Sequence, residues 1–108
     1  MMIPKVINEK EKQEYPDGSY IKQYVVHAPE WDIYLDDDWS GRHGTQKANH
    51  FIISESTRMG YLETFVFPAD KEGKVIEMRE IAGGRDYTAD EVLTSFALIM
   101  MEAGHDTV

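Results

Sequence analysis

The chain has 108 residues, enough for one domain with one hydrophobic core and too few for two. Its 42% hydrophobic and 11% aromatic content is that of a folded globule, which excludes a disordered acidic tail. Twenty acids against eleven bases give a formal charge of −9 and a pI near 4.8, a field that repels nucleic acid and anionic membrane and attracts basic surfaces.

No cysteine is present, so disulfides, thiolate chemistry and thiolate metal sites are excluded, and a reducing compartment fits. The opening "MMIPKVINEKEKQEY" has no apolar run of signal-peptide length. The longest apolar run, "FALIMM" at 96–101, is far short of a membrane span. The expectation is a single soluble domain over residues 1–108, cytoplasmic, with no membrane contact and no direct nucleic-acid binding.

In chain order, a strand is expected around residues 5–13. "YPDG" at 15–18 is a turn, because proline presets one dihedral and glycine tolerates the left-handed one. "YIKQYVVHA" at 20–28 alternates with Tyr20, Tyr24 and Val26 on one face, and Pro29 is expected to end it. "WDIYLD" at 31–36 alternates more cleanly, Trp31, Ile33 and Leu35 against Asp32, Tyr34 and Asp36, as a half-buried strand does. The acids then continue into a loop, "DDDWSGRHG" at 36–44. "HFIIS" at 50–54 is a further strand. "YLETFVF" at 61–67 and "VIEMREI" at 75–81 form a hairpin around "PADKEGK", whose Gly73 suits a left-handed position. Gly83 and Gly84 are expected to break the sheet.

"TADEVLTSFALIMMEAG" carries the best helix signals. Thr88 and Glu91 form a capping box, Tyr87 and Val92 are spaced for a hydrophobic staple, and Gly104 stands where a helix ends. Val92, Phe96, Ile99 and Ala103 make one apolar stripe, widened by Leu93, Ala97, Met100 and Met101, with Leu98 apart on the polar side. The stripe is wider than a helix on one sheet usually needs. Homodimerisation through the 88–103 helix is one expectation that follows. The architecture is α+β: an antiparallel meander of four to six strands with one C-terminal helix packed on a face.

The second hairpin, with Glu63, Thr64, Val66, Phe67, Asp70, Gly73, Val75, Glu80 and Tyr87, resembles a segment of small, uncharacterised bacteriophage-encoded proteins. There an E-T-M-V-F strand precedes a D-x-x-G-x-V turn, an acidic second strand and a tyrosine leading into a short helix. Phe65 replaces the usual methionine, and the histidine often found in that helix is missing. The resemblance covers about a third of the chain and implies an origin rather than an activity.

The remaining motifs bear on several chemistries. Asp36, Asp38 and Ser40, followed by Gly41, have the alternate-oxygen spacing that opens a calcium loop, but the twelfth position is Lys47 where a bidentate glutamate belongs. Water-facing carboxylates in an Asx-rich turn are the preferred reading. The histidines, His27, His43, His50 and His105, have no zinc spacing, so the fold would have to assemble such a site. His27 is read as structural. A general base made of His43 and Asp36 or Asp38, in a metal-assisted hydrolase, lacks a recognisable nucleophile. Glu55 and Glu63 are a second possible carboxylate pair. An enzyme is not the expectation, and no cofactor is called for.

Two binding chemistries remain. Trp39, Arg42, His43 and Lys47 could hold a nucleotide-like anion at a subunit interface by stacking and charge-assisted hydrogen bonds. Glu30, Asp32, Tyr34, Asp36, Asp37, Asp38 and Trp39 set aromatic anchors among acids, the composition that meets a basic protein surface. The leading expectation is a small acidic phage-type accessory protein that inhibits a host enzyme or defence complex through this region, as a possible nucleic-acid mimic. Its partner would be a host protein with a basic surface.

Overall fold

The computed structural model describes residues 4–37, 42–58, 60–78 and 80–102, with side chains described outside 29–46 and 100–102. Six strands, β1 (Lys5–Glu9), β2 (Gln13–Glu14), β3 (Tyr20–Asp37), β4 (Arg42–Arg58), β5 (Tyr61–Ala69) and β6 (Ala82–Arg85), precede one helix, α1 (Ala89–Glu102). They form one antiparallel sheet in the order β1-β3-β4-β5-β6, with β2 also pairing β3. This is the α+β meander with a C-terminal helix that the hydrophobic patterns predict.

The turn at 15–18 forms as expected. Gly18 has φ 88°, its amide donates to the Tyr15 carbonyl at 2.9 Å, and Asp17 Oδ1 accepts from the Ser19 amide and hydroxyl. Around the second turn, Asp70 Oδ1 accepts from the amides of Glu72 and Lys74, and Gly73 has φ 81°. A β-carbon at Gly73 would stand 2.8 Å from Val25 Cγ2, so the position requires glycine for space as well as for backbone.

Four expectations are corrected. Residues 5–13 divide into β1 and the two-residue β2. Pro29 does not end the strand: β3 runs through it, and the register with β4 slips between the pairs His27–His50 and Trp31–Ala48. A bulge absorbs the residue that cannot donate to the ladder. The segment 75–81 makes one bridge, Val75 to Ala69, and otherwise forms no strand among the described residues. Gly83 and Gly84 lie inside β6 rather than at a break. A β-carbon on Gly83 would press on the Thr64 carbonyl and stand 2.7 Å from Phe65 Cα, and its φ is 119°. Glycine here allows close backbone approach; composition alone cannot tell that from a breaker.

Both sheet faces bury side chains. On one, Val26, Phe51, Ile53 and Val66 pack against Ala89, Val92 and Phe96 of α1, with the Phe51 and Phe96 rings edge-to-face at 4.9 Å. Such a ring pair adds about 0.5–1.5 kcal/mol beyond the area it buries. On the other, Val25, Ile52 and Ala69 are covered by Val75 and the turn around Gly73. Lys10 Nζ fastens that turn by donating to the Gly73 carbonyl at 2.8 Å, and Lys22 Nζ donates to the Lys10 carbonyl at 2.6 Å.

The helix begins with its capping box intact. The Thr88 amide donates to Glu91 Oε1 at 3.1 Å and the Glu91 amide to Thr88 Oγ1 at 3.3 Å. Of the expected stripe, Val92 and Phe96 are fully buried, Leu93, Ala97 and Ile99 are half-buried, and Leu98 is 55% exposed. Gly104 and Ala103 lie outside the described residues.

Candidate functional site

β3 and β4 are each far longer than the strands beside them. β1 pairs with β3 only up to His27, and β5 pairs with β4 only down to His50. Beyond those residues the two continue as a two-stranded ribbon, through seven register pairs from Trp31–Ala48 to Asp37–Arg42. At the usual rise per residue this adds about 20 Å of paired chain.

The predicted acidic region maps onto this ribbon. Glu30 falls in the register slip of β3. Asp32 pairs with Lys47, Tyr34 with Thr45, Asp36 with His43 and Asp37 with Arg42. The strand continues to Asp37, one residue past the expected loop start, while Asp38, Trp39 and Ser40 lie outside the described residues. Lys47 is exposed. Three of the acids thus stand in register with a base or a histidine. The hairpin still carries five acids, Glu30, Asp32 and Asp36 to Asp38, against Arg42 and Lys47.

For the anion reading, Arg42 is in register with Asp37 and Lys47 with Asp32. For the hydrolase reading, the register brings Asp36 and His43 together, whereas Asp38 is outside the described residues. The partial calcium spacing retains only Asp36 at a described backbone position. Glu55 and Glu63 do not pair: they sit at adjacent-parity positions opposite Thr64 and Ser56, hence on opposite faces of the sheet. Glu63 stands 3.8 Å from Arg85 Nε.

Two groupings were not legible in the sequence. Glu55 accepts the Tyr20 hydroxyl on Oε1 at 2.8 Å and the Ala89 amide on Oε2 at 2.7 Å, joining β3, β4 and the start of α1. Burial, and then the hydrogen bond to Glu55, push the Tyr20 phenol up to about 12. His27 and His50 face each other across the sheet with ring centroids 4.9 Å apart. Burial, and then the neighbouring His27, hold His50 below the usual imidazole range, against an opposing pull from Asp70 and Glu72. Among the described residues no group of three or more metal-ligating side chains comes together. A cleft of about 520 Å³ lies between β6 and the outer side of α1, lined by Gly83, Tyr87, Glu91, Ser95 and Leu98 among others. No helix among the described residues is long and apolar enough to cross a membrane.

Comparison with protein-family models, with curated proteins and with solved structures gives no match, so this chain's own geometry carries the functional reading.

Proposed function

We propose that this protein acts by binding, as a small acidic accessory protein of phage type that occupies a basic surface of a host enzyme or defence complex in the cytoplasm. The observation that carries this reading is the β3–β4 ribbon, which continues beyond the reach of its neighbouring strands and holds Asp32, Asp36 and Asp37 at described positions. A two-stranded ribbon is narrow enough to enter a groove, and its excess of carboxylates matches the charge pattern of a nucleic-acid backbone. The register pairs Asp32–Lys47 and Asp37–Arg42 support the same reading, because they set an acid opposite each base and leave the ribbon net acidic. They also weigh against the anion-sequestering alternative.

The test replaces Asp36, Asp37 and Asp38 together by asparagine. Wild-type protein immobilised in host lysate should retain a basic protein that elutes with rising salt. The triple variant should lose it while melting at an unchanged temperature. Equal retention by both proteins would reject the proposal. A melting-temperature rise with nucleotides would favour the anion alternative, and metal found in purified protein would favour the hydrolase. Dimerisation through α1 is proposed on the half-buried Leu93, Ala97 and Ile99 and the exposed Leu98.

A further inference from the structure

The ribbon leaves the sheet at one rung. Lys5, His27, His50 and Ala69 are in register across β1, β3, β4 and β5, and the slip that begins the ribbon follows directly after His27. This is the last rung at which the β3–β4 pair is held on both sides. We propose that the His27–His50 rung is an acid-sensitive joint, which holds the root of the ribbon when both imidazoles are neutral and loosens it when they become charged.

The geometry carries the argument. The rings are 4.9 Å apart and tilted at 53°, and both residues are half-buried. Two imidazolium ions at that separation repel, and like charges directly opposite each other destabilise a strand pair. Lys5, the register neighbour of His27 on β1, adds a third positive group to the row. From the turn after β5, Asp70 and Glu72 act in the other direction and favour a proton on His50. Asp70 Oδ1 is already committed to the Glu72 and Lys74 amides, and the nearby Lys10 Nζ is held on the Gly73 carbonyl. Asn49, beside His50, is neutral. Its Oδ1 lies 2.8 Å from His50 Nδ1 and accepts from that nitrogen in the tautomer that carries its hydrogen there.

Burial and the facing His27 ring both favour a neutral His50 at this rung. On acidification the first proton enters one ring, and the second meets a charge already present. The cost falls on the register that anchors the ribbon, because no third strand supports the pairs beyond it among the described residues. This inference concerns the ribbon's own stability and does not depend on what the ribbon binds.

Two measurements test it on the full chain. Ring-proton NMR of His50, followed from pH 8 to pH 4, should show its midpoint move upwards in His27→Gln, once the facing imidazole is gone. Hydrogen exchange of amides 31–37 and 42–48, corrected for intrinsic rates, should quicken about three- to five-fold from pH 7.5 to pH 5.5, the factor expected for like charges meeting across one rung. His50→Gln, which keeps a neutral hydrogen-bonding group, should abolish that quickening. A His50 midpoint that His27→Gln leaves unchanged would overturn the proposal. So would ribbon exchange that is indifferent to pH, or that responds equally in wild type and His50→Gln.

Discussion

Tyr20 gives its hydroxyl to Glu55 at 2.8 Å, and the partner carboxylate uses its other oxygen to hold the first amide of the only helix among the described residues. The contact binds β3, β4 and α1 at one point. The phenol is pushed up to about 12, from an ordinary value near 10, by burial and by Glu55. A group raised on folding contributes stability that is complete below its unfolded value and is lost as pH rises through its folded one. Thermal unfolding should therefore be level up to about pH 10 and decline from there towards pH 12, with Tyr24, also raised, adding to the fall. Tyr20→Phe should lower stability at pH 7 by about 1–2 kcal/mol and make the alkaline decline shallower. A wild-type profile that stays level to pH 12 would refute this account.

Removing the carboxylate tests the same knot from the other side. In Glu55→Ala the Ala89 amide and the Tyr20 hydroxyl both lose their acceptor. We expect a loss of roughly 2–3 kcal/mol by denaturant titration, with Glu55→Gln recovering at least half of it. Asp90→Asn, an exposed acid in the first turn of α1, should cost no more than about 0.5–1 kcal/mol. If Glu55→Ala and Asp90→Asn proved alike, Glu55 would be an ordinary dipole partner rather than a tie.

Gly83→Ala should be among the most disruptive single substitutions. The added methyl would meet the β5 backbone at Thr64 and Phe65, and the φ of 119° is poorly tolerated by any side chain. A loss above about 3 kcal/mol, or failure to fold, is expected. The adjacent Gly84 would meet only the Tyr87 ring at 3.3 Å, so Gly84→Ala should be much milder. Circular dichroism melts of the two variants decide the matter, and equal effects would contradict the close-approach explanation.

On α1, Phe96 and Leu98 should separate core from surface. Phe96→Ala opens a cavity against Phe51 and should cost about 3–5 kcal/mol. Leu98→Glu, at a position 55% exposed, should leave stability within about 0.5 kcal/mol. If α1 joins two copies, the same Leu98→Glu change should shift sedimentation from dimer to monomer. A variant that sediments like wild type would remove Leu98 from any such interface.

Much of the local structure was legible in the residues themselves. The capping box of Thr88 and Glu91, the left-handed glycines of the two turns, and the alternation at Tyr24 and Val26 are short-range devices, each written within a few positions. Where reading failed, a distant chain segment outweighed the local signal. Pro29 ends strands in isolation, yet β4 carries β3 past it once a bulge removes the need for its amide. The pair Gly83–Gly84 looks like a break until β5 is laid against it.

Composition and short-range pattern thus determined the fold class, the helix with its cap, and the concentration of acid at 30–38, because those depend on propensity, periodicity and charge count. Only the tertiary structure decided that Asp32, Asp36 and Asp37 lie on a continuous ribbon, that Asp32 and Asp37 fall in register with Lys47 and Arg42, and that His27 finds His50. Strand register relates residues far apart along the chain, and nothing in either local stretch encodes which rung will face which.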